Sequence, residues 1–234
     1  MPDTIYNDRG RTNLSKYSVI ETDNVVVYPD SLPVCRQGQG VHVLAVPRRH
    51  RYSFAQSPDL ETELGRVRYQ LELRARCSGL MKPEDDLVLF EHGGTSYGSS
   101  VLSVYHQHCH LISSSGYDVL AYMNHVLSET IDNQGNRLSP LLVDVPHHQP
   151  VRLLTDYFGA EIHPYIFVQR GRQGLLVIDQ DNALPSQVSQ RAMTKLLSGR
   201  ELSWKQLPPH GEDQELADLA VRRVVSIVEN VRSC

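Results

Sequence analysis

The chain lacks the features that mark several large classes of protein. Its 234 residues hold only four cysteines, Cys35, Cys77, Cys109 and Cys234, and no Cys-x-x-Cys pair. Such spacing speaks against a disulfide framework and against an all-cysteine zinc knuckle. No apolar run approaches the roughly 20 residues that cross a bilayer as a helix. The opening segment, Met1 to Arg9, has no apolar signal core. The expected setting is therefore reducing and cytoplasmic, with no membrane partner. Neither sign of charge dominates: the formal net charge is −4, which gives no reason to expect generic nucleic-acid binding. Internal repeats and low-complexity tracts are missing as well. What is left, with 40% hydrophobic and 21% charged residues, is an ordinary globular composition. The length suits one large domain or two lobes sharing a core.

Periodicity predicts an α+β fold with a mostly antiparallel sheet. Asn24–Pro29 and Val41–Pro47 read as strands that pair across a Pro/Gly-rich link. Ser57 is a candidate N-cap with Pro58 at the first helical position. Leu60, Leu64, Val67, Leu71 and Ala75 then form one apolar stripe ending near Cys77. Leu87–Glu91 reads as a short buried strand, and Gly93–Ser100 as a Gly/Ser loop. Tyr117–Thr130 is expected to be helical and Asn133–Gln149 a loop-rich crossover. Tyr165–Val168 and Gly174–Ile178 suggest a hairpin, with helices over Ser186–Leu197 and Asp213–Arg232. The expected organisation is an arm over 1–19, a core over 20–149 and a lobe over 150–234 packed on that core.

The most informative segment is Ser103-Val-Tyr-His-Gln-His-Cys-His-Leu-Ile112. As a strand it would project His106, His108 and His110 from one face, each roughly 7 Å from the next. Three imidazoles in one row make a poor choice for plain packing. They permit a zinc site, a set of hydrogen-bonded core histidines, or a phosphate-handling site with a histidine nucleophile. The Gly/Ser loop just before the row favours phosphate, because its N–H and hydroxyl groups can cradle phosphate oxygens. Cys109 is expected to face away from the imidazoles, in a packing role with an unreactive thiol.

This segment resembles the histidine triad (HIT) signature, His-φ-His-φ-His-φ-φ with φ apolar. Val41-His-Val-Leu-Ala-Val-Pro-Arg-Arg-His50 resembles the same superfamily's strand, and Asp30-Ser-Leu-Pro33 its turn. Phe90-Glu-His-Gly93, Gln187 with Arg191, and Trp204-Lys205 resemble the larger members related to diadenosine-tetraphosphate hydrolases and CwfJ C-terminal domains. Gln107 and Cys109 depart from the apolar φ positions, and Glu91 stands where simple members often carry Asn.

The resemblance implies a HIT-like fold with an integral C-terminal α/β lobe. It implies a nucleotide hydrolase or nucleotidyl transferase acting at the α-phosphate of a dinucleoside polyphosphate or nucleoside phosphoramidate. His108 would be the nucleophile, assisted by His106 and His110. Ser103, Ser100 and Ser99 would donate to phosphate, and Asp30 would take the ribose hydroxyls. His92, Gln187 and Arg191 are further candidates for the substrate. No cofactor is required and no metal ligand is assigned, although a divalent metal can accompany a polyphosphate substrate. The partner is a small nucleotide, and the protein a homodimer or a monomer. A phosphorylase, a non-catalytic nucleotide-binding scaffold related to RNA-processing factors and a zinc enzyme are the rivals.

Overall fold

Among the described residues, eight strands pair into one sheet in which every neighbour is antiparallel. The structure is a computed structural model, and it describes residues 18–30, 34, 40–94, 107–179, 183–185, 188–199 and 219–227. The strands are β1 Ile20–Glu21, β2 Val25–Pro29, β3 His42–Pro47, β4 Leu87–Gly93, β5 Cys109–Ser113, β6 Leu141–Asp144, β7 Tyr165–Arg170 and β8 Gln173–Ile178. Their order across the sheet is β1-β2-β3-β5-β4-β7-β8-β6. The helices are α1 Glu61–Cys77, α2 Val119–Glu129, α3 Pro150–Phe158 and α4 Val188–Ser198, and residues 219–227 are also helical. This is the α+β antiparallel architecture that the periodicity predicts. No described helix is long and apolar enough to cross a membrane.

Alternation along the strands divides the core into two layers. Val25, Val27, Val43, Ala45, Leu89, Cys109, Leu111, Tyr165 and Phe167 face α1 and α3. Val88, Phe90, Ile112, Ile166, Val168, Leu175 and Val177 face α2 and α4. The apolar stripe Leu64, Val67, Leu71 and Ala75 is buried, as its spacing predicts. The sheet also joins distant parts of the chain: β6 and β7, from either side of residue 149, both pair with β8.

Three local expectations are corrected. Ser57 does not cap a helix; Pro58–Leu60 makes a 3₁₀ turn and α1 starts at Glu61. The Ser57 hydroxyl instead donates to Gln107 Oε1 at 3.2 Å, a partner 50 residues away that local capping chemistry cannot anticipate. The expected crossover over Asn133–Gln149 contains β6, whose four residues are too few to show a period. Leu142 in β6 is 70% exposed, so burial leaves no mark on that sequence either. The histidine strand begins at Cys109, so His108 precedes it rather than lying within it. Helix α3 had no counterpart among the expected elements; Pro150 opens it and Gly159, at φ 58°, follows its end.

Candidate active site

Antiparallel pairing places His110 between two strands, opposite Leu44 of β3 and Phe90 of β4. The His110 imidazole stacks on the Phe90 ring, centroids 4.1 Å apart and planes 6° apart. Phe90 is fully buried in the α2/α4 core layer, so the His110 ring packs directly on that layer. His108 is half-buried, and its ring meets that of His110 edge-on with centroids 5.1 Å apart. His92 is half-buried, its ring 5.9 Å from that of Phe90.

A fourth histidine joins this group. His42, 1% exposed, brings Nε2 within 2.9 Å of His110 Nδ1. Its other nitrogen, Nδ1, accepts the Val34 backbone N–H at 3.0 Å. A neutral His42 must then carry its proton on Nε2 and donate it to His110 Nδ1. His110 in turn must carry its proton on Nε2, the nitrogen not held by His42. Asp30 Oδ2 lies 3.3 Å from His42 Nε2 and 3.6 Å from His110 Nδ1, so it shares the same proton at longer range. Burial pushes the pKa of both His42 and His110 below the usual histidine value, against the opposing pull of Asp30. The two rings are therefore neutral at neutral pH, and the tautomer of each is set by the relay.

Asp30, His42 and His110 offer three possible metal-ligand atoms within 4.8 Å of one another. Their chemistry fits a proton relay better than a chelate. With Nδ1 of His42 already accepting an N–H, a cation on Nε2 would require an imidazolate. A 2.9 Å N···N separation is that of a hydrogen bond.

Among the other expected site residues, Arg191 is exposed on α4, the helix that packs against α2. Ser99, Ser100, Ser103, His106 and Gln187 lie outside the described residues. Cys109 is completely buried and its thiol pKa is pushed up by burial, with neighbouring Glu91 adding to the rise. That placement agrees with a packing role.

His42 was missed as a site residue, although it stands in the Val41–His50 segment that carries the second half of the resemblance. Replacing His42 by phenylalanine should leave the buried Val34 N–H without an acceptor, costing about 1–3 kcal/mol. Urea unfolding of the two proteins checks this; equal midpoints would mean that the relay does not hold Val34.

No protein-family model matches the chain, and no curated protein matches it. Among solved structures it is similar to yeast Ap4A phosphorylase in complex with AMP, at 13% identity and a TM-score of 0.38, over 68% of this chain and 56% of that one. The chain thus spans little more than half the length of that protein. It is also similar to a DUF4931 family protein from Bacillus cereus, at 10% identity and a TM-score of 0.37, over 88% of this chain and 98% of that one. Neither likeness transfers a ligand or a reaction. Among the described residues, His108 leads into β5, which carries His110 between β3 and β4 in an antiparallel α+β sheet.

Proposed function

We propose that the chain cleaves or transfers at the α-phosphorus of a nucleotide conjugate, a dinucleoside polyphosphate or a nucleoside phosphoramidate, through a nucleotidyl-histidine on His108. The observation that carries this reading is the relay. It fixes the His110 proton on Nε2, in a ring whose centroid lies 5.1 Å from that of the half-buried His108 imidazole.

In the first step a ring nitrogen of His108 bonds to phosphorus, and the bond to the bridging oxygen or nitrogen breaks. The leaving group departs with a proton. In the second step water or another acceptor bonds to phosphorus, and the N–P bond breaks. Two displacements replace one difficult one. The Nε2–H of a neutral His110 donates to a non-bridging oxygen as charge accumulates there. His106, Ser103, Ser100 and Ser99 are assigned to the remaining phosphate oxygens and to protonation of the leaving group. Asp30, His92, Gln187 and Arg191 are assigned to the rest of the nucleotide. No cofactor enters these steps, and a divalent cation accompanies only a polyphosphate substrate.

Acid-free intact-mass spectrometry after mixing with adenosine 5′-phosphoramidate or diadenosine tetraphosphate tests the proposal. The expected result is one added adenylyl group, mapped to His108, with product release. Binding without adduct or product across both conjugate classes would instead make the protein a nucleotide-binding scaffold. Products formed with and without an added acceptor separate transfer from hydrolysis.

A further inference from the structure

Glu91 stands in β4 on the sheet face opposite the imidazoles, 1% exposed, and takes no part in the chemistry above. Both of its carboxyl oxygens are in use. Oε1 accepts the Phe54 N–H at 2.7 Å, and Oε2 accepts the Tyr165 hydroxyl at 2.6 Å. The Tyr165 oxygen accepts the Ala55 N–H at 3.3 Å. One carboxyl therefore holds, directly or through Tyr165, two consecutive backbone N–H groups of the 3₁₀ turn Phe54–Gln56. The approach is tight: a Cβ on Gly93 would lie 2.2 Å from the Tyr165 ring, so only glycine lets that ring reach Glu91.

The anchored segment is also the one that braces the residue before His108. The Arg51 carbonyl accepts the Gln107 N–H at 2.9 Å, and the Tyr52 carbonyl accepts the Gly94 N–H at 3.1 Å. The Ser57 hydroxyl donates to Gln107 Oε1 at 3.2 Å. Gln107 is 1% exposed, a polar residue where the HIT-like pattern has an apolar one. Its buried amide suits a polar brace and not plain packing. Residues 51–57 contain only one short 3₁₀ turn, Phe54–Gln56, so their position depends on such anchors.

We propose that Glu91 is a positioning residue, locking the 51–57 segment against Gln107 and thereby setting where the His108 imidazole stands. The catalytic consequence rests on the nucleotidyl-histidine reading. The structural consequence rests on hydrogen-bond geometry alone.

Two substitutions test this in the full chain. Glu91→Ala removes both acceptors. Glu91→Gln stands in for the protonated carboxyl: it keeps an oxygen for the Phe54 N–H, and its N–H donates to the Tyr165 oxygen where an ionised Oε2 would accept from it. Hydrogen exchange at Phe54 and Gln107 reads the lock, and steady-state kinetics with diadenosine tetraphosphate reads its effect. Expected for Glu91→Ala are exchange about 100-fold faster at both amides and kcat about 100-fold lower, with KM within about 3-fold, as for a nucleophile displaced by about 1 Å. Glu91→Gln should restore both readouts to within about 3-fold of the wild type.

Unchanged exchange and kcat in Glu91→Ala would overturn the proposal. So would Glu91→Gln failing as badly as Glu91→Ala, since charge and not positioning would then be the requirement. If Glu91→Ala does not fold, Tyr165→Phe removes half of the anchor and should raise exchange at Gln107 about 10-fold. An unchanged rate there counts against the lock. If the wild-type protein forms no adduct, the enzymatic reading falls, while faster Gln107 exchange in Glu91→Ala still supports the anchor.

Discussion

A His108→Ala protein keeps nucleotide affinity within a few-fold of the wild type and loses at least about 10⁴-fold in turnover. The size follows from the proposed nucleotidyl-histidine chemistry. Without the ring nitrogen no N–P bond forms, and the two-step path reverts to direct attack by water. The neighbouring donors still stabilise charge on phosphorus, so a small residual rate is expected. His108 is the informative position because it is half-buried and precedes β5, so its removal leaves the core layers in place. His110 is a poorer choice: its ring stacks on Phe90 and takes the His42 proton, so truncation there mixes catalysis with packing. Isothermal titration with AMP and product analysis with diadenosine tetraphosphate measure the two quantities. Turnover within 10-fold of the wild type would remove His108 from the role of nucleophile.

The second large effect is on stability. Burial pushes the Glu91 carboxyl from an ordinary 4.5 up to about 8, although the Tyr165 hydroxyl and the Phe54 N–H oppose the rise. Between those values the native protein holds a proton that the unfolded chain has released, so stability falls as pH rises. The contribution is fully present below about 4.5 and gone above about 8. At about 1.4 kcal/mol per pH unit, the loss across that interval is at most about 5 kcal/mol.

Other groups near the site must be separated from this effect. His42 and His110 have lowered pKa values, so they contribute stability that is lost as pH falls below the ordinary histidine value. Tyr165 and Cys109, which face Glu91 from β7 and β5, are both raised by burial and stay protonated through neutral pH. Arg68, which acts on Cys109 from α1, has its own pKa lowered by burial. The difference between the wild type and Glu91→Gln cancels these contributions. Denaturant unfolding at pH 5 and pH 9 should show Glu91→Gln gaining on the wild type by several kcal/mol, up to about 4. A constant difference would mean that Glu91 titrates normally, and so is not held in a dry core.

The place of the candidate site is legible in the one-dimensional pattern. His108 and His110 at a spacing of two, with Val41–Pro47 as a companion strand, point to one sheet position, and β3 does pair with β5. Local rules also carry the hairpin β7–β8, the stripe of α1 and the extent of α2, because turn residues and apolar periods act within a few positions. The Asp118 side chain caps α2 by accepting the Ala121 N–H, a bond three residues long.

Long-range partners are another matter. His42 and His110 are 68 residues apart and Glu91 and Tyr165 are 74 apart. Nothing local distinguishes Glu91 from a solvated carboxylate, or Ser57 from a helix cap. The amino-acid order by itself determined which groups can do chemistry and which strands must alternate. Tertiary packing alone decided which imidazole holds which proton, and that one carboxylate is sealed beneath the sheet. The physical reason is that tautomer and pKa depend on partners and on the exclusion of water, and both exist only once distant strands have met.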